Sequence, residues 1–217
     1  TTLRFTSAPS SNSGNNIFAY YLFRTIGTVT HPATSALNAT NVTAAGTLTV
    51  AGATTLTTKL ATTNLATGAV VQVQSTTSVA MATGTTVIPN DDTIPQKTEG
   101  TEFLTLAITP TNASNKLKIE VVGLWTADAV NIWLIAALFQ DTTANALAVS
   151  LDFDSVAQAS VNHGLSHFMT AGTTSATTFK VRVGPHSSAT VTMNGENEGR
   201  RFGGVLGSSI TITEIAV

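Results

Sequence analysis

The chain has 217 residues, of which 42% are hydrophobic and only 10% charged, with a net charge of −2 and a mean hydropathy of +0.24. A hydropathy this high excludes a disordered chain, and a pI near 6.0 argues against general nucleic-acid binding. The absence of cysteine excludes a disulfide framework and a thiolate metal site.

The charged share is far below the usual figure of about 25%. The surface must therefore be covered by partner chains, or by Ser, Thr and Asn in place of charge. The 41 threonines favour strands over helices. The longest apolar run, residues 129–139, includes Asn131 and is short of the ~20 residues that cross a bilayer, so no membrane insertion is expected. No charged region leads into an apolar stretch at the start, so no secretory leader is expected either.

Charge is placed unevenly. Every acidic residue lies at or after Asp91, and before it stand only Arg4, Arg24 and Lys59. This shift divides the chain into an N-terminal attachment segment (1–37), a short shaft (38–69) and a head domain (70–217).

Residues 1–37 concentrate aromatics, with Phe18, Tyr20, Tyr21 and Phe23 on a strand-like stretch that is apolar on both faces. The rings either pack on a small strand pair or dock against a larger assembly. Thirty-seven residues are too few for a stable core of their own, so the piece needs a partner. The docking reading makes Phe18, Tyr20, Tyr21 and Phe23 attachment residues.

Residues 42–65 (VTAAGTLTVAGATTLTTKLATTNL) carry Leu48, Val50, Leu56, Leu60 and Leu65 mostly at even spacing, as one face of a strand requires. Thin strands punctuated by Gly46 and Gly52 cannot bury these side chains within one chain, but three chains wound together can. The competing reading is a flexible Thr/Ala linker, which would not need regularly placed leucines.

From residue 70 the chain reads as a run of strands bounded by turn residues: Val70–Gln74, Thr86–Ile88, Glu102–Thr109, Lys116–Leu124, Val130–Phe139, Ala146–Leu151, Ser160–Thr170, Thr177–Val183, Ala189–Met193 and Ser208–Ile215. The fold class expected is all-β, an antiparallel jelly-roll sandwich. Val130–Phe139 (VNIWLIAALF) is apolar on both alternate sets. One set fills the sandwich, and a neighbouring subunit is the simplest cover for the other, which makes Trp133, Ile135 and Phe139 interface residues. A buried helix is the competing reading of so short an apolar run. In the last strand Ile210 and Ile212, with a partly offset Ile215, mark the core. The glycines beside Phe202 permit close approach of chains at an axis, which adds Phe202 to the interface.

Candidate chemistry is sparse. His163 and His167 share one face of a strand about 13 Å apart, too far for one metal within a chain. Asp152 and Asp154 read as solvated loop acids rather than a hydrolytic pair. Lys180 and Arg182 read as the exposed side of an ordinary strand. No nucleotide-binding or Ser-His-Asp arrangement is present, so neither catalysis nor a cofactor or metal is expected. The compact run NGENEGRRFGG places Arg200 and Arg201 beside Glu196 and Glu198, as an intersubunit salt-bridge cluster or as ligand contacts.

Counting strands back from the C-terminus puts loops 194–207, 171–176 and 140–145 at the end away from the shaft. Binding sites favour loops on a rigid scaffold, so Asp141, Thr142, Thr143, Thr173, Thr174, Glu196, Asn197, Glu198, Arg200 and Arg201 are the expected binding residues.

The stretches DDTIPQKTEGTEFLTLAITPTNASNKLKIEV (91–121), WLIAALFQDTTANALA (133–148) and FGGVLGSSITITEI (202–215), with GTLTVAGATTLTTKLAT upstream, resemble tailed-bacteriophage fibre proteins. The resemblance covers roughly residues 38–217. It implies a homotrimeric receptor-binding fibre with a tumour-necrosis-factor-like jelly-roll head, attached to the virion and binding a host surface glycan or protein. Such a protein is made in the bacterial host cytoplasm and resides in the virion. The resemblance carries no fixed site motif. A structural fibre or decoration protein without receptor binding is the alternative.

Overall fold

The computed structural model describes residues 65–217. The attachment residues Phe18, Tyr20, Tyr21 and Phe23 and the shaft residues Leu48, Val50, Leu56 and Leu60 lie outside them.

Twelve strands run through the described residues: β1 (Val70–Ser78), β2 (Ala82–Gly84), β3 (Thr101–Ile108), β4 (Lys116–Ala127), β5 (Ile132–Gln140), β6 (Ala148–Asp154), β7 (Val161–Thr170), β8 (Thr177–Pro185), β9 (Val191–Met193), β10 (Gly195–Glu196), β11 (Gly199–Arg200) and β12 (Ser208–Ile215). One sheet has the order β1-β12-β4-β7, and the other β3-β8-β5-β6. All of these pairings are antiparallel. This is the strand order of an eight-stranded jelly roll, with two Greek keys folded face to face.

Alternation builds the core. Leu117, Ile119, Val121 and Trp125 of β4, Leu134, Ala136 and Leu138 of β5, Phe179, Val181 and Val183 of β8, and Ile210 and Ile212 of β12 interdigitate between the sheets. Glu214, not Ile215, takes the fourth inward position of β12, after Ser208, Ile210 and Ile212, and is fully buried.

The second apolar face of β5 is not left for a neighbouring subunit. Residues 85–100, which include the expected strand Thr86–Ile88, form a non-strand strap across it. Ile88 is fully buried against Ile135, Ala137 and Phe139, leaving Ile135 4% and Phe139 1% exposed. These two residues are sheltered within one polypeptide. Trp133 is half-buried, with its ring 4.8 Å from that of Phe153 on β6, and Phe202 is exposed.

The strap is fastened along its length. Ile88 N donates to Pro185 O (3.0 Å), Ala146 N to Pro95 O (2.9 Å) and Lys97 N to Ala144 O (2.8 Å). Arg182 is half-buried and donates from Nε to Glu99 O (2.8 Å) and from Nη2 to Gly100 O (2.7 Å). Its role is to hold the strap, not to decorate an open strand. Gly184 and Gly100 make room for Ile88: a Cβ on the first would come within 2.9 Å of Ile88 Cγ1, and on the second within 2.8 Å of its Cδ1.

Val70 pairs with Ile215, so β1 enters and β12 leaves at one end of the sandwich, here called the base. Strand directions then place loops 109–115, 141–147 and 171–176 at the base. Loops 128–131, 155–160 and 186–207, with the turn after Ser78, lie at the opposite end, the tip. The expectation that 140–145 and 171–176 share an end with 194–207 is therefore wrong. The cause is β9. It does not cross the sandwich but pairs with residues 125–127 of β4, continuing the line of β12 along the same edge. Counting it as a full crossing inverts every loop before it.

Candidate functional site

The tip is built where this shared edge is interrupted. The chain leaves the line at Asn194 and rejoins it at Ser208. Asn194 N donates to Leu124 O (3.1 Å), Ser208 Oγ donates to Asn194 Oδ1 (2.7 Å), and Leu124 N donates to Ser208 Oγ (3.2 Å). The Asn194 amide also donates to Ser78 O (2.7 Å) and Ala80 O (3.1 Å), pinning the break between β1 and β2. Both ends of the excursion are thus welded to one buried polar junction.

Between them, β10 and β11 form a short hairpin followed by a 3-10 turn at Phe202–Gly204. Arg201 Nε donates to Glu196 Oε2 at 3.0 Å, and the Arg200 guanidinium lies against the backbone of Gly204. Gln158 couples the neighbouring loop to the hairpin: Asn197 N donates to its Oε1 (2.8 Å), and its own N donates to Ala127 O (2.8 Å).

Backbone conformation marks this end. Among the described residues, Asn131, Gln158, Asn194, Asn197, Glu198 and Phe202 hold φ between 50° and 68°, and all six lie at the tip. Asp141 at the base is the seventh non-glycine residue with positive φ. Asn and Asp tolerate this region, whereas Gln158, Glu198 and Phe202 occupy it at a cost of roughly 1–3 kcal/mol each. All three costly residues are at the tip. There Phe202 is 76% and Val205 85% exposed, with Val130 and Val156 also exposed on adjacent loops. The result is a strained, apolar-studded surface with a paired charge at its centre.

The ten expected receptor residues divide between the two ends. Glu196, Asn197, Glu198, Arg200 and Arg201 belong to the tip. Asp141 is engaged at the base, where its carboxylate accepts from Thr177 Oγ1 (2.8 Å) and Thr178 N (2.7 Å). Thr142 O accepts from Lys97 Nζ (2.8 Å), and Thr173 Oγ1 accepts from Ser175 N (2.9 Å). Thr143, whose N donates to Gln140 O (3.0 Å), and Thr174 are exposed residues of the same two base loops. The exposed Phe202 and Val205 are the tip residues that the sequence reading does not assign to binding. Gly203 and Gly204, which follow Phe202 and read as a close-packing signal, instead shape the turn that exposes it.

His163 and Asp154 are structural. His163 is buried, edge-on to Trp125 at 5.7 Å, with Nδ1 3.3 Å from Ser150 Oγ. Burial pushes its pKa down, opposed by the nearby charge of Asp152. Asp154 is a buried strand residue, not a solvated loop acid. Its Oδ1 accepts from Val156 N at 3.0 Å. Among the described residues no three His, Asp or Glu side chains converge as a metal site requires, and no helix is long and apolar enough to cross a membrane.

No family model matches the chain, and no curated protein matches it. Among solved structures, the VP2 subviral particle of infectious bursal disease virus aligns over 68% of this chain at 10% identity with a TM-score of 0.33. The structure of the Gt strain of that virus aligns over 68% at 12% identity and 0.32. The enzymatically active domain of tailspike protein 4 of bacteriophage CBA120 aligns over 57% at 17% identity and 0.25. The chain spans 38%, 39% and 18% of those chains respectively. The jelly-roll assignment rests on the strand order itself and draws nothing from these likenesses.

Proposed function

We propose that this chain is a virion structural protein: a homotrimeric bacteriophage fibre that attaches through residues 1–37 and binds a host surface glycan or protein with the tip of its jelly-roll head. The observation that carries the reading is the gathering of Gln158, Glu198 and Phe202, all in the left-handed region, at the end remote from the base. Backbone strain persists where the surrounding structure imposes it, and it concentrates at binding surfaces. The resemblance of residues 38–217 to phage fibres supports the same reading, as does the scarcity of surface charge. No catalytic step and no cofactor form part of it. Three heads on one fibre multiply weak contacts through effective concentration.

The test is adsorption. Fluorescently labelled full-length chain is applied to a panel of bacterial strains and bound cells are counted. Phe202→Ala with Val205→Ala abolishes binding and leaves thermal unfolding unchanged, while Thr142→Ala with Thr174→Ala at the base leaves binding intact. Binding that survives the tip substitutions overturns the tip assignment. Failure to bind any strain, with the chain present in purified particles that remain infectious without it, overturns receptor binding in favour of a structural fibre or decoration protein.

A further inference from the structure

One narrow side of the sandwich is formed by β6 and β7, the edge strands of the two sheets, joined by the Ser150–His163 contact. The two outer faces flanking this side differ. Beside β6, Val149, Leu151 and Phe153 project from one face of the strand and are exposed, as is Ile94 of the strap. The strap also sets Asp91 and Asp92 at the rim of the groove next to them.

Beside β7, on the opposite outer face, Gly164 has no side chain. It leaves a depression lined by Glu120, Val122 and Ser166. The register puts Lys118 directly across from Phe168 and Lys116 across from Thr170 on that face, and Val122 and Phe168 are both exposed. One flank is thus an apolar ridge with two acids, and the other an apolar hollow beside Lys116 and Lys118, of which Lys118 also pairs with Glu120 at the wall of the hollow (2.8 Å).

We propose that the Val149–Leu151–Phe153 ridge of one copy seats in the hollow over Gly164 of the next copy, with Asp91 and Asp92 facing Lys116 and Lys118. The contact joins unlike surfaces, so it is heterologous, and it closes into a ring when the narrow β6–β7 sides face a common axis. A two-fold contact would set like charge against like. An axis along the strands keeps the three bases together at one end and the three tips at the other. This interface rests on the trimeric reading above and names the surface that makes it.

The chain has no cysteine, so cross-linking can be made specific. In full-length protein, Leu151→Cys with Ser166→Cys is treated with a short bismaleimide. Covalent species up to three times 22.3 kDa are expected from the double variant, and none from either single variant. Adding Asp91→Lys with Asp92→Lys lowers the yield about tenfold, and Lys116→Glu with Lys118→Glu restores it. Dimers from Leu151→Cys alone identify a two-fold contact and overturn the interface. An unlinked double variant whose native mass is still three chains overturns the interface and leaves the trimer standing. A native mass of one chain overturns both.

Discussion

Glu214 sits where alternation along β12 calls for an aliphatic side chain. Its carboxylate accepts from Gln72 Nε2 (2.6 Å), Thr111 N (2.8 Å), Thr111 Oγ1 (2.8 Å), Asn112 N (3.3 Å) and Asn115 Nδ2 (2.7 Å). Burial pushes its pKa up, but these donors outweigh it and hold the carboxyl below its ordinary value. The bonds tie β1 and loop 109–115 to the last strand, so Glu214→Leu, which leaves the donors unpaired, costs about 3 kcal/mol in urea unfolding. Because the pKa is lowered in the folded state, this stabilisation is present above the ordinary glutamate range and is lost as the pH falls through the folded value. His163 adds a second pH dependence. Its folded pKa is also lowered, so the unfolded chain takes up the proton first, and stability declines as the pH drops below the ordinary imidazole value. Melting temperatures between pH 7 and 5 show this slope in the native chain, and His163→Phe, which keeps the edge-on packing with Trp125, flattens it.

At the scale of elements, the strap decides how much apolar surface the head leaves open. Ile88 is its anchor, and Ile88→Ala costs about 2–4 kcal/mol through the cavity it opens between Gly100, Gly184 and Phe139. Limited proteolysis then cuts within residues 89–98, which the native chain resists. Most strands were legible in the sequence, because alternation and turn residues speak locally; Ser208–Ile215 matches the observed strand at both ends. The strap was not legible. Thr86–Ile88 at its start reads as one more short strand, Pro89, Pro95 and the paired acids break any pattern after it, and nothing local reports that Ile88 reaches a pocket made by two distant glycines. The doubly apolar β5 therefore pointed to another subunit when its cover was sixteen residues of the same chain. The site was half legible for a related reason. Composition singled out the Glu196–Arg201 run, but whether a three-residue strand crosses the sandwich or extends an existing line depends on pairing with Ala127, which only the folded chain displays.

Across the whole molecule the two ends do different work. The base gathers the Glu214 network and the Asp141 turn, both saturated with hydrogen bonds, so substitutions there are read out as stability. The tip holds the strained and exposed positions, so on the proposed function substitutions there are read out as adsorption. Asn194→Ala connects the two. It removes the side-chain bonds to Ser78, Ala80 and Ser208, and native-state hydrogen exchange rises across residues 195–207 while the core of β4 and β12 remains protected. The same junction has an evolutionary reading. The chain departs and returns at two points already held together, so lengthening or shortening the intervening stretch adds only a slowly growing closure cost. New residues can be spliced into this position without disturbing any pairing in the barrel-like scaffold behind it. On the proposed function, a lineage facing a changing host can thus exchange its gripping surface as a cassette, and a protein engineer can graft a foreign peptide between Asn194 and Ser208 by the same route.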